Sequence, residues 1–363
     1  MIIFLIFQVK LVLKYKKTLK TTIIIPVHNE EANIAKLLNT IFQSKVRKLE
    51  IIVINDGSTD STLKILKNFG KKIKLLNIKK SGVAKARNLG INKSRGSLLL
   101  FFDGDVILKK DTIKKFIKYF EENKKLNVLQ GVWEKNYIEK TNYITQHLLL
   151  KLNFNFQDKS DKEKKYFNFK GVKVSELLTG CLGVRKKVFR NIKFNEGYKK
   201  AGGEEFEMGS RIFKKYDIFY TSKIKVYHQF ENIFETLKRI FYRTINYSIF
   251  ILSFKNEKRK IYNKHNETSV PKRDINNLFI VSFLVIFLFL SLFRNEFLYL
   301  FIFSNIIFFI NNLKFLLFIK KNLDILSLIK SYFVELLIIL VKTISIFISI
   351  ILVYILKQNK FKI

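Results

Sequence analysis

The 363 residues carry 67 Lys and Arg against 29 Asp and Glu, a net charge of +38 with 48% hydrophobic residues, and that length is enough to bury a full core. The lysines are spread along the chain, which favours a surface resting on anionic lipid, where each basic residue contributes about 1 kcal/mol, over nucleic acid. The single cysteine, Cys181, excludes an internal disulfide and has no neighbours at zinc-ligand spacing; it reads as a small buried residue in a reducing compartment.

In chain order, Met1 to Leu13 is apolar but broken by Gln8 and Lys10, and no small-residue cleavage site follows. An amphipathic contact with a membrane or with the domain fits better than a signal peptide or a span. From Thr22 to about Tyr227, short apolar runs alternate with helical patterns, the signature of a parallel sheet with crossover helices. Strands are expected at Thr22 to Pro26, Glu50 to Ile54, Ile73 to Asn77 and Ser97 to Phe102, with a later one at Ile224 to Tyr227. Asp60 or Ser61 caps a helix running toward Phe69, and Ser81 caps another running toward Asn92. The charge runs Lys159 to Lys165 and Lys255 to Asp274 read as a solvated loop and a linker.

Beyond Asn277 the character changes. Leu278 to Phe293 contains only Leu, Phe, Ile, Val and two serines, and Phe297 to Ile310 is nearly as apolar. Both are short for a hydrocarbon core of roughly 30 Å, so a tight hairpin drawing on flanking residues is expected. Phe315 to Lys330 mixes lysines with Leu and Ile at helical spacing and reads as an interfacial helix. Tyr332 to Leu356 is long enough to cross, and its eighteen Leu, Ile, Val and Phe residues outweigh Glu335 and Lys342 at about 0.3 to 0.6 against about 3 kcal/mol each. Lys342, near the middle, needs a protein carboxylate or a lipid phosphate as partner, and Glu335 shares its helix face.

The chemistry gathers where strands end. The first runs into Ile25-Pro26-Val27-His28-Asn29-Glu30-Glu31 and the second into Asn55-Asp56-Gly57-Ser58-Thr59-Asp60, where Asp56 is placed to accept a hydrogen bond from a nucleobase. The fourth runs into Asp103-Gly104-Asp105, two hard oxygen ligands for Mg²⁺ or Mn²⁺ at the sheet edge where ligands of open α/β sheets bind. Taken singly, each is also ordinary turn chemistry.

Together with Gly82-Val83-Ala84-Lys85-Ala86-Arg87-Asn88, Thr179-Gly180 and Gly203-Glu204-Glu205-Phe206-Glu207, these pieces resemble, in order and spacing over residues 22 to about 230, the inverting family-two glycosyltransferases. That resemblance implies a hexosyltransferase with a Rossmann-like A-type α/β fold: a mostly parallel central sheet with helices on both faces, followed by a helical membrane region. It divides the chain into a lead at 1–20, a catalytic domain at 21–254, a linker at 255–277 and a membrane region at 278–363, with hydrophobic segments at about 278–293, 297–313 and 332–356.

Carried over residue by residue, the resemblance implies a nucleotide cradle of Pro26, Asn29, Asp56 and Arg87, with Asp103 and Asp105 on ribose and metal and His228 completing the metal site. Left to itself, Arg87 would be a solvated helix residue and His228 a structural one. The family's catalytic Glu-Asp pair is Glu204-Glu205 here, so either Glu205 or Glu204 is the base, kept ionised by a helix N-terminus freed at Gly202-Gly203. Glu207 and Arg211 make a helix salt pair, while His28, His147 and His265 carry no assigned role. The substrates implied are a UDP- or GDP-sugar and a lipid-linked or cell-envelope glycan acceptor, without nucleic acid, at a multi-pass membrane protein whose catalytic domain is cytoplasmic. Oligomeric state stays open. A processive polysaccharide synthase would add a Gln-x-x-Arg-Trp motif, and the one tryptophan, Trp133, lies far upstream. A scaffold that had lost the chemistry would have no use for Asp103, Asp105 and Glu205 together.

Overall fold

The computed structural model describes residues 19–134, 143–144, 146–151, 154–155, 177–198, 204–228, 233–252 and 272–355. The expectations for Met1 to Leu13, Lys159 to Lys165, Gly202-Gly203, His265 and most of the linker lie outside these residues.

Eight strands form one mixed sheet: β1 (Thr21–Val27), β2 (Leu49–Asp56), β3 (Lys74–Ile78), β4 (Leu98–Phe101), β5 (Val106–Leu108), β6 (Val128–Trp133), β7 (Leu182–Arg185) and β8 (Ile218–His228). Their spatial order is β3-β2-β1-β4-β7-β6-β8-β5. β3, β2, β1 and β4 are parallel, β7 runs antiparallel between β4 and β6, and β6 and β8 are again parallel. The run Thr-Thr-Ile-Ile-Ile-Pro-Val of β1 is buried throughout, as a β-branched strand covered on both faces must be.

Alternation of side chains splits the core in two. Ile23, Ile25 and Val27 face one layer with α1 (Ile34–Gln43) and α4 (Thr112–Glu122), through Leu37, Ile41, Phe116 and Phe120. Ile24, Ile54 and Phe101 face the other, with α3 (Val83–Lys93) and α5 (Glu204–Phe213). The short α2 (Thr62–Lys67) follows β2.

Pro26 sits in a central strand without breaking a ladder. The Ile24 carbonyl accepts from Phe102 N at 3.3 Å, so Pro26, two residues on, faces the same edge beyond the last β1–β4 pair at Ile24 and Phe101. The sheet therefore opens between β1 and β4, where chain order reverses direction across the sheet and ligands of such folds gather.

Four further helices follow: α6 (Ile233–Leu252), α7 (Lys272–Leu290), α8 (Glu296–Asn322) and α9 (Ile325–Ile350), the last continued by a π-helical turn, Ile351–Ile355. The last three are long and apolar enough to cross a membrane. The expected hairpin draws on flanking residues: α7 recruits Lys272 to Asn277 and α8 continues through Lys314, Lys320 and Lys321 to reach about 40 Å. One difference from expectation stands out. The expected interfacial helix over Phe315 to Lys330 does not exist as one element: its first half ends α8 and its second half begins α9, with Asp324 capping at Ser327 N, 2.6 Å.

The buried charges explain why. Glu335 neither snorkels nor pairs with Lys342. It is fully buried against Lys151 and against His147 Nε2 at 3.2 Å, both within the helical residues 146–151. Lys342 finds a protein carboxylate, Asp274 at 3.6 Å, which Lys151 also approaches at 3.2 Å. Arg273 lies over the rings of Phe154 and Phe315. Buried charges hold only when paired, and here the pairs fasten an excursion of the α/β domain to the apolar helices.

Candidate active site

On the β2 side of the β1–β4 opening, Asp56 ends β2 with only 3% exposure. Its carboxylate accepts from Ser81 N at 2.7 Å, Ser81 Oγ at 3.0 Å and Gly82 N at 2.8 Å. The expected Ser81 cap is thus corrected: Gly82 occupies the N-cap of α3, and Asp56, 26 residues earlier, supplies the acceptor. Gly57 makes the turn possible with φ +64°; a Cβ there would stand 2.5 Å from Lys80 N. Asn29, also at positive φ, receives Thr59 N at 2.8 Å on its side-chain oxygen, so Pro26, Asn29 and Asp56 share one rim.

The centre is Arg87. It is no solvated helix residue: at 2% exposure it donates through Nη1 to Glu204 at 3.1 Å and through Nη2 to Asp103 at 3.0 Å and Thr179 Oγ1 at 2.6 Å. Thr179 in turn donates to Glu205. One guanidinium fork therefore joins Asp103 to Glu204 and, at 3.7 Å, Glu205, the planar multi-donor role that lysine cannot fill. Gly180 lets the chain pass close by, since a Cβ there would lie 3.0 Å from Asp103 Oδ2. Burial depresses the Arg87 pKa, but Asp103, Glu205 and Glu204 outweigh it and hold the guanidinium charged.

Asp105 is brought to His228 by strand register: β5 pairs antiparallel with β8 so that Val106 faces His228. His228 Nε2 lies 3.3 Å from Asp105 Oδ2, and the Trp133 ring stacks on the imidazole with centroids 4.2 Å apart. Asp105 Oδ1 is buried without a hydrogen bond. Two adjacent donors, one an orphaned carboxylate oxygen, fit a divalent cation that takes its remaining ligands from outside the protein. Asp103 is turned toward Arg87, and no group of three ligating side chains assembles among the described residues.

Two further residues escaped the sequence reading. Arg239 and Arg243, one turn apart on α6, reach Asp105 Oδ2 at 3.6 Å and Glu205 Oε2 at 3.0 Å. A pair of arginines at i and i+4 shortly after His228 is the signal that points to them. Burial pushes the Asp105 carboxyl up, with Arg239 and Arg243 opposing. Burial likewise pushes Glu205 up, opposed by Arg243 and reinforced by Glu204. Glu204, at 2% exposure, is locked on Arg87. The Glu207–Arg211 pair forms as expected, at 2.6 Å.

Residues 22–193 match the family model described as Glycosyl transferase family 2. Among curated proteins, glycosyltransferase GlyA of Streptococcus pneumoniae is 35% identical over 107 residues, 28% of this chain and 15% of GlyA. Poly(ribitol-phosphate) beta-N-acetylglucosaminyltransferase TarS of Staphylococcus aureus is 32% identical over 111 residues, 29% of this chain and 19% of TarS. In both cases the match spans less than a fifth of the relative's own length. Among solved structures, S. aureus TarS 1-349 gives a TM-score of 0.45 at 20% identity over 66% of this chain and 68% of that one. The mannosyltransferase PcManGT of Pyrobaculum calidifontis, in complex with GDP-Man and Mn²⁺, gives 0.49 at 14% identity over 66% of each chain.

Proposed function

We propose that this chain, which carries a glycosyltransferase family 2 domain, transfers a hexose from a UDP- or GDP-sugar to a hydroxyl of a membrane-borne glycan acceptor, with inversion at the anomeric carbon. The observation that carries the reading is the buried Arg87 hub, which ties the buried Thr179, Glu204 and Glu205 to the half-buried Asp103 at the sheet opening.

The donor's nucleoside lies along Pro26, Asn29 and Asp56, and its ribose and diphosphate reach Asp103 and Asp105. Glu205 is the base. It is held by Thr179 and Arg243 on the side from which an acceptor enters, while Glu204 is committed to Arg87. Glu205 takes the proton of the acceptor hydroxyl as that oxygen forms its bond to the anomeric carbon and the bond to the diphosphate oxygen breaks. No enzyme nucleophile takes part, so one displacement inverts the centre. Asp105 and His228 would hold a Mn²⁺ or Mg²⁺ ion, which when bound offsets the charge developing on the leaving diphosphate. The guanidiniums of Arg87, Arg239 and Arg243 add positive charge that is already oriented before the reaction begins.

A membrane-borne acceptor is supported by three apolar helices and by the way α6 runs from the cluster onto α9. Ile245 and Ile249 pack with Val353, and Ser349 Oγ donates to the Ile245 carbonyl at 3.4 Å. With the catalytic domain on the cytoplasmic face, lipid-linked cell-envelope precursors lie within reach. The test is a screen of nucleotide sugars, with the full chain in lipid extract, for release of free nucleoside diphosphate and appearance of labelled lipid. Release without any lipid-linked product, alongside transfer to soluble sugars, would overturn the acceptor assignment.

A further inference from the structure

Asp105 is 9% exposed, and its Oδ2 is shared by His228 Nε2 at 3.3 Å and Arg239 Nη1 at 3.6 Å while Oδ1 accepts nothing. A carboxylate this buried needs a countercharge. The sheet does not provide it; α6 does, from 134 residues further along the chain. Around the cleft, the four carboxylates Asp103, Asp105, Glu204 and Glu205 face three guanidiniums, Arg87, Arg239 and Arg243. Arg87 is locked at 3% side-chain exposure, whereas the Arg239 side chain is 33% exposed and reaches Asp105 from the rim. A divalent cation on the open Oδ1 would stand beside the guanidinium on Oδ2, and repulsion between two like charges on one carboxylate favours the guanidinium's departure. The donor's diphosphate, which arrives with the cation, is the anion nearest to its new position.

We propose that Arg239 supplies the countercharge of Asp105 in the empty enzyme and moves onto the donor diphosphate when cation and nucleotide bind, so that it both competes electrostatically with the metal and binds the leaving group. This rests on the metal-dependent reading above. Arg243 stays on Glu205 throughout and α6 stays seated on α9, so the exchange needs only side-chain rotation of Arg239. The site thereby keeps the same net charge in both states, the cation's two positive charges arriving with the diphosphate's two negative ones, and binds the cation weakly until nucleotide supplies a second seat for the arginine.

The test uses the full chain in detergent micelles, with free Mn²⁺ counted by electron paramagnetic resonance and UDP or GDP binding followed by calorimetry. Relative to the parent protein, Arg239→Met should bind Mn²⁺ alone about fivefold more tightly, as relief of a partly exposed ion pair implies. With Mn²⁺ saturating, the same variant should bind UDP or GDP at least about tenfold more weakly, the loss of a charged hydrogen-bond donor. Arg239→Lys retains the competing charge, so its affinity for Mn²⁺ alone should stay near the parent value, which guards against a folding defect in the first variant. Unchanged or weaker Mn²⁺ binding by Arg239→Met, while Asp105→Asn abolishes it, would overturn the exchange and leave the metal reading intact. A parent protein that binds no Mn²⁺ with or without UDP or GDP, and is indifferent to Asp105→Asn, would overturn the metal reading and this proposal together.

Discussion

Replacing Glu205 by Gln removes the proposed base while keeping the side chain's length and both of its neighbours. The Gln oxygen can still accept from Arg243, whose Nη2 now stands 3.0 Å from Oε2. The amide can donate to Thr179 Oγ1, which then turns its own proton elsewhere. Glu205 also stands 3.7 Å from Arg87, which keeps Asp103 and Glu204 as countercharges, so the folding cost is mainly that of the pair with Arg243, whose side chain is 39% exposed and can hydrate, about 1 kcal/mol. The catalytic cost is larger. Loss of a positioned proton acceptor slows transfer by about 10² to 10⁴, or about 3 to 5 kcal/mol of barrier. The two effects are separable in one preparation: kcat for nucleoside diphosphate release with acceptor present should fall by that factor, and donor affinity by calorimetry should change less than about threefold. Retention of more than a tenth of parental kcat would refute the assignment. Glu204→Gln supplies the contrast, since that residue is buried on Arg87 and its loss should weaken donor binding as well. Should Glu204→Gln alone abolish transfer with donor binding intact, the base is the neighbouring glutamate.

Because burial raises the Glu205 pKa against the pull of Arg243, and the base works only when ionised, kcat/KM should fall on the acid side at a pH above the ordinary carboxylate range. Arg243→Met should move that limb still higher, and a limb that stays put in a pH–rate profile would count against Glu205. Gly180→Ala adds a Cβ at 3.0 Å from Asp103 Oδ2 and should push that carboxylate off Arg87, raising the donor KM by about tenfold; an unchanged KM would show that the Asp103–Arg87 contact is idle. Glu335→Ala takes one of two carboxylates from Lys151, which keeps Asp274 at 3.2 Å, and leaves His147 with Ser331; it should cost about 3 kcal/mol of stability, whereas the double change Lys151→Met with Glu335→Leu should cost less. Thermal melts in detergent that rank the two the other way would sink the buried-pair account.

Much of this protein is legible in sequence because local spacing reports local geometry. An all-apolar run such as Leu98 to Phe101 can only be a strand covered on both faces, and the polar residues that end it, Asp103 and Asp105, must then lie at the sheet's ligand-binding edge. The same logic reaches Asp56 and the first turn of α5 at Glu204 and Glu205, as well as the existence of three long apolar helices. What spacing cannot report is the partner chosen across a large loop. Arg87 reads as a surface residue of an ordinary helix until the fold brings Glu204, 117 residues away, to its guanidinium. The lysines after Phe315 read as part of an interfacial helix until Phe315 and Ile319 are seen packing on Leu150 as the end of α8. Lys342 and Glu335 share a helix face and invite pairing, yet each is claimed by another element, Asp274 on α7 and Lys151 within the helical residues 146–151. The physical reason is the same each time: buried charges take whichever countercharge the packing of distant elements delivers, so the identity of the strand ends was fixed by the chain's own pattern, and the wiring among Arg87, Arg239, Arg243, Asp105 and Glu205 was decided only when α6 settled between the sheet edge and α9.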